Sequence, residues 1–214
     1  AANQEYCVPG DSTSWVAPVA RWDFNEGTGV SAYDTSGNAA TGTLTNSPSW
    51  TVGKKGKAVN FTSSSSHYVS IGTNTALNVS NNLTFEAWIK PGSDISTRQT
   101  IYGNQNSANA FQVEIGTAST GVGAGHLAII VTGIWKTETA AGAITANAWN
   151  HIVFTRNGTG STFALYVNGV NQTLTTSSTT DFVDPTGVRE FGTRSAGAGQ
   201  NFTGVIDDVK LFNY

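Results

Sequence analysis

Charge is what this 214-residue sequence has least of: Lys, Arg, Asp and Glu together make up 12%, about half the share of a typical soluble domain. Methionine is absent, leucine occurs seven times and proline five. Helices are built mainly from Leu, Met, Glu, Lys and Ala, so this inventory excludes a helix bundle or coiled coil. The one cysteine, Cys7, lies in a polar segment, which excludes an intrachain disulfide framework and a cysteine zinc site. No apolar run approaches the roughly 18 residues of a membrane span, so membrane insertion is not expected. A net charge of −3 lacks the basic footprint of a nucleic-acid binder. No apolar signal-peptide core stands at the start, which leaves a mature or a cytosolic chain. The scarcity of Lys and Cys points to secretion or the cell surface.

What fills the space is polar and uncharged: 20 Ser, 30 Thr and 24 Gly. Ten Phe, six Trp and six Tyr supply a core that disordered chains lack. The fold class expected is all-β, and the length suits one two-sheet antiparallel β-sandwich, which often runs to about 200–250 residues. Residues 1–17 show no sustained period and read as an N-terminal arm or linker. Residues 18–214 read as a single sandwich domain. Period-2 alternation marks the strands. In Asn82–Pro91, Leu83, Phe85, Ala87 and Ile89 share one face while Thr84, Glu86, Trp88 and Lys90 share the other. Ile152 and Phe154 oppose Val153 and Thr155 in the same way. Asn168-Gly169 favours a type I′ turn, predicting a hairpin of Phe163–Val167 with Val170–Thr175. About ten strands are expected, mostly in antiparallel pairs.

Several segments form an ordered series: ARWDFNEG at Ala20–Gly27, YDTSGN at Tyr33–Asn38, VGKKGKAV at Val52–Val59, and LTFEAWIKP at Leu83–Pro91. WNHIVFTRNG at Trp149–Gly158, LYVNG at Leu165–Gly169 and FTGVIDDVKLF at Phe202–Phe212 complete it. The series resembles the laminin-G-like (concanavalin A-like) jelly-roll domains of bacterial secreted and surface proteins, from about Val16 to Tyr214. The resemblance implies two curved antiparallel sheets, first and last strands paired near each other, and often one bound calcium. It does not define a ligand, because one fold hosts many functions.

Alternation in the last strand places Asp207 inward with Val209 and Leu211, and Asp208 outward with Lys210. A carboxylate buried at a sheet edge needs a cation or several N–H donors. Asp34-Thr-Ser36-Gly-Asn38 has the spacing of a degenerate calcium loop, and the resemblance places Asn25 beside the last strand. Asn25, Asp34, Ser36, Asn38 and Asp207 are therefore the expected ligands of a structural Ca²⁺, since hard oxygen donors without His or Cys suit that ion. The family usually has Asp where Asn25 stands, so one formal charge is missing. The alternative is an Asx turn at Asp34–Asn38 and an Asp207 satisfied by backbone N–H groups.

The resemblance extends to glycoside hydrolases and polysaccharide lyases. Hydrolysis needs two carboxylates about 5–9.5 Å apart, yet none of the 14 acidic residues stands two positions from another. Glu86 and Glu114 remain as a pair that could face one another from separate strands, each with the alternative of partnering Lys or Arg. No catalytic residue is assigned. Sugar recognition uses aromatic faces, amides and hydroxyls, and the idiosyncratic loop stretches carry them. Arg98, Tyr102, Asn104, Gln105, His126, Trp135 and Arg194 are the candidate ligand-binding residues, with Trp135 expected at a loop tip. Trp88 is a second possible platform. The function expected is a non-catalytic, lectin-like module binding a polysaccharide or glycan. An adhesin or filament module contacting other protein domains or subunits is the alternative, and an enzyme on the same fold the third reading.

Overall fold

Alternating apolar and polar positions become two layers because each strand buries one face and leaves the other for water or loops. The computed structural model describes residues 17–104, 111–116, 124–131, 135–194 and 200–214; the arm at 1–16 and Gln105 lie outside the described residues. The first strands are β1 (Ala20–Trp22), β2 (Ser31–Ala32), β3 (Gly42–Thr45), β4 (Ser49–Val52), β5 (Lys57–Phe61) and β6 (Tyr68–Thr73). Next come β7 (Leu83–Pro91), β8 (Gln99–Asn104), β9 (Phe111–Gly116), β10 (His126–Val131), β11 (Trp135–Thr139) and β12 (Asn150–Arg156). The last are β13 (Ala164–Val167), β14 (Val170–Asn171), β15 (Leu174–Thr176), β16 (Val188–Phe191) and β17 (Gly204–Phe212).

They form two antiparallel sheets, as expected of a jelly roll. The first runs β14-β13-β12-β7-β17-β5-β4, with β1 also paired to β17. The second runs β15-β11-β10-β9-β8-β16-β6-β3-β2. First and last strands do pair, Ala20 opposite Leu211 and Trp22 opposite Val209. Aromatic rings join the layers: Phe85 and Phe154 stack at 5.1 Å within the first sheet, and each meets the second, Phe85 at Tyr102 (5.5 Å) and Phe154 at Phe111 (5.4 Å). Such pairs are worth about 0.5–1.5 kcal/mol each beyond the area they bury. No helix among the described residues is long and apolar enough to cross a membrane.

Two expected elements come out differently. The Asn168-Gly169 turn forms, both residues having positive φ (51° and 79°). Its second arm, however, ends at Asn171, and β15 crosses to the other sheet to pair with β11. In β17, Asp207 does not share the parity of Val209 and Leu211. Ile206 opposes Ile89, Asp207 opposes Trp88, and the register then slips so that Lys210 opposes Glu86. The extra residue is a β-bulge, with Asp208 in the left-handed region at φ 45°. Ile206, Val209 and Leu211 all reach the core, while Asp207 lies on the outward side with Trp88.

Candidate functional site

Asp207 faces outward and is still fully buried, because the turn between β4 and β5 folds over it. Gly53 N–H bonds to the Gly56 carbonyl at 3.0 Å and closes that turn. The backbone N–H of Lys55 donates to Asp207 Oδ2 at 2.9 Å, and that of Lys57 donates to Asn25 Oδ1 at 2.8 Å. The turn needs its glycines: a Cβ on Gly53 would stand 2.6 Å from Asp207 Oδ2, and one on Gly56 would stand 2.1 Å from Asn25 Oδ1. Asp207 Oδ1 is buried with no hydrogen-bond partner among the described residues. Burial pushes this carboxyl up to about 6, against the pull of the Lys55 and Lys54 N–H groups. Next to it Asp208 pairs with Lys55 Nζ at 2.5 Å, and lies 3.9 Å from Lys210 Nζ on the face expected of it. Lys54 Nζ sits 4.6 Å above the Trp88 ring, and the His151 ring lies 4.8 Å from it. Trp88 therefore faces outward as expected and is half-buried between Lys54 and His151.

The YDTSGN segment is closed on itself. Asp34 Oδ1 accepts the N–H groups of Arg21 (3.0 Å) and Ser36 (2.9 Å). Its Oδ2 accepts the Ser36 hydroxyl (2.9 Å) and the Ala40 N–H (3.0 Å). These bonds hold the carboxyl below its ordinary value even though burial pulls the other way. Ser36 and Asn38 side chains both donate to the Val19 carbonyl. The expected ligand set thus divides in two. Asn25 and Asp207 grip one turn, whereas Asp34, Ser36 and Asn38 satisfy one another and β1 as an Asx turn. Within the expected ligand set Asp207 Oδ1 is the buried oxygen left without a partner, whereas both oxygens of Asp34 are filled by its own donors.

Three of the seven candidate ligand-binding residues, Tyr102, Asn104 and His126, are buried in the fold. Tyr102 is in the aromatic core, because a bulge between Thr100 and Tyr102 turns both Ile101 and Tyr102 inward. Asn104 is buried and donates to Asp184 and to the Pro185 carbonyl. The Asp184–Arg189 pair beside it, at 2.9 Å, is fully buried on both sides. His126 is buried, its Nδ1 2.7 Å from the Thr139 carbonyl. Trp135 is not at a loop tip but opens β11 opposite Val131. Arg98 is partly exposed and forks onto Glu114 Oε2 at 2.5 and 2.9 Å. Arg194 is exposed. Glu86 and Glu114 cannot converge: they belong to different sheets and point away from opposite sides of the core. Each has found the cation expected of the alternative, Lys210 for Glu86 (2.6 Å) and Arg98 for Glu114.

One open groove was missed by the sequence reading. It has a volume of about 380 Å³ and is lined by Asn82, Thr84, Thr155, Asn157 and Tyr214. Thr84 and Thr155 are directly opposed across β7 and β12, and the Thr84 hydroxyl donates to the Thr155 hydroxyl at 2.9 Å. Alternation placed both threonines outward, but nothing in the sequence brought Tyr214 beside them.

A family model described as the concanavalin A-like lectin/glucanases superfamily matches residues 63–214. No curated protein matches the chain in sequence. Among solved structures, domain 4 of AbnA, a GH43 extracellular arabinanase from Geobacillus stearothermophilus in complex with arabinotriose, is similar over 92% of this chain and 93% of that one, at 18% identity and TM-score 0.69. The binding domain of Paraclostridial Mosquitocidal Protein 1 is similar at 15% identity and TM-score 0.71. There the match covers 92% of this chain, which spans about half (49%) of that one. The CBM40 of a Ruminococcus gnavus IT-sialidase, bound to sialyllactose, is similar over 64% of this chain and 77% of its own, at 13% identity and TM-score 0.50. The likeness to these structures is one of fold, and with the family match over most of the sequence it establishes that this chain belongs to the concanavalin A-like lectin/glucanase superfamily.

Proposed function

We propose that this chain is a non-catalytic carbohydrate-binding module of a secreted or cell-surface protein. The observation that carries the reading is a contrast between its acidic and its uncharged polar groups. Glu86, Glu114, Asp181, Asp184 and Asp208 are each held by a cation, and Asp94 is closed in a turn with Ser96 and Thr97. Acid–base chemistry needs carboxyl groups that can exchange protons with a substrate. Uncharged amide, hydroxyl and aromatic groups also face solvent, among them Asn82, Asn157 and Tyr214, the chemistry that recognises sugar hydroxyls and the apolar faces of sugar rings. The arabinotriose and sialyllactose complexes of similar folds support the same reading. Binding to an array of neutral and acidic glycans, with no change in polymer length on prolonged incubation, is the expected result. Silence across the array at millimolar glycan would refute it.

A structural calcium belongs to this proposal. Asp207 Oδ1 and the amide oxygen of Asn25 are the side-chain groups offered to it. The ion would neutralise a buried carboxylate and pin the β4–β5 turn to the last strand. The other ligands would be backbone oxygens or water, because the described residues contain no cluster of three or more His, Cys, Asp and Glu suited to a metal.

One observation favours an enzyme as the second reading. Glu114 and Glu138 both stand opposite Ala128, on the strands either side of it. Two strand spacings separate them by about 10 Å at Cα, with Ala128 on the strand between. Loss of depolymerising activity in Glu138→Gln, with glycan binding retained, would establish that reading.

A further inference from the structure

We propose that the groove across the ends of β7, β12 and β17 is a subsite for a neutral saccharide, with Tyr214 as the surface on which a sugar ring lies. This rests on the carbohydrate-binding reading above and adds the place and the ligand class. Three neighbouring strands meet here: Thr84 opposes Thr155 on one side and Phe212 on the other. The Tyr214 ring is 49% exposed and braced edge-on by Phe212, centroids 5.4 Å apart at 74°. A braced ring loses little freedom when a ligand covers it, which lowers the entropic cost of binding.

The polar groups around the ring suit a polyol. The Thr84 proton is committed to Thr155, which leaves the Thr155 hydroxyl proton free to donate and lone pairs on both oxygens free to accept. Asn82 and Asn157 flank this pair, are exposed, and have no side-chain hydrogen-bond partner among the described residues. Each amide offers a donor and an acceptor side by side, the pattern that two adjacent sugar hydroxyls complement. The volume of about 380 Å³ falls within the roughly 300–1,000 Å³ of small-ligand clefts.

Charge selects the ligand class. All five lining side chains are uncharged. The nearest acidic position along β7, Glu86, is neutralised by Lys210 at 2.6 Å, and the Arg156 guanidinium at the end of β12 is buried and turned to Asp181. A sialic or uronic acid would find no counter-charge here and would lose hydration of its carboxylate without compensation.

The test is titration calorimetry with arabinotriose, cellotriose, maltotriose and mannotriose as neutral probes, and sialyllactose and trigalacturonate as acidic ones. It is run on the unaltered chain and on Tyr214→Ala and Asn157→Ala. Both sites are exposed, and equal melting temperatures would verify the folds. The expected result is binding of at least one neutral trisaccharide, weakened about tenfold by Tyr214→Ala. The side-chain amide resonances of Asn82 and Asn157 should shift during the same titration. Neutral binding unchanged in both variants would overturn the location and leave the carbohydrate-binding function standing. Binding of acidic probes alone would overturn the ligand class. Silence toward these probes and toward the wider glycan array would overturn both.

Discussion

Asp34 and Asp207 are the same residue type, both near the β1–β17 pair and both read from sequence as ligands of one cation, and the fold treats them in opposite ways. Asp34 sits in a turn whose four donors fill both its oxygens. Asp207 sits on a bulge under a hairpin turn, with one oxygen bonded and the other bare. Hydrogen bonds lower the first carboxyl and burial raises the second. The lesson is that an acidic residue signals a cation only where the backbone has not already supplied its donors.

The largest effect that sharpens the comparison is expected at Asp34. Asp34→Ala leaves the N–H groups of Arg21, Ser36 and Ala40 without their acceptor and should cost about 3 kcal/mol. For a chain of this size that lowers the melting temperature by roughly 6–12 °C, read by calorimetry. Calcium should act next in size and through the other residue. Added at about a hundredfold excess over its Kd, it would stabilise by about 2.7 kcal/mol relative to EGTA. Asp207→Asn should erase that difference and Asp34→Asn should keep it; the reverse pattern would break the comparison.

Smaller effects follow from titration. In EGTA, the raised Asp207 carboxyl favours folding fully below its unfolded value of 3.8, and that contribution is lost as pH rises through about 6. The unaltered chain should therefore lose stability relative to Asp207→Asn between pH 4 and about 6.5, and the gap should stay constant above that. Asp34 has the opposite sign. Its lowered carboxyl contributes above its unfolded value of 3.8, and the contribution is lost on acidification below it. Melting temperatures of Asp34→Asn and the unaltered chain should accordingly differ most in the neutral range and converge only at acid pH.

The fold was legible where a single strand's alternation decides burial. Leu83, Phe85, Ala87 and Ile89 are inside as their spacing requires, and Asn168-Gly169 makes its turn because both positions need positive φ. The errors cluster at bulges. At Thr100–Tyr102 and Asp207–Lys210 one inserted residue reverses the parity, and an Asp at φ 45° gives no warning in the way a glycine would. Parity also assigns a face without saying to which sheet it belongs, so Glu86 and Glu114 looked like partners although a core separates them. The groove escaped notice for a related reason. Its residues come from positions 82–84, 155–157 and 214, and only the register of β7 between β12 and β17 assembles them.

The pairing of β1 with β17 has a mechanical consequence. The ladder is antiparallel, with the start of β1 at Ala20 beside Leu211 near the end of β17, so the first strand begins where the last one finishes. A force applied through those ends loads the hydrogen bonds one at a time, because in an antiparallel ladder they lie across the strands. The two strands would unzip at low force instead of resisting in shear. A domain wired this way is poorly suited to bear tension in the middle of a fibre. It is better suited to a place beside the line of tension, where the two strand ends add almost nothing to the span between them.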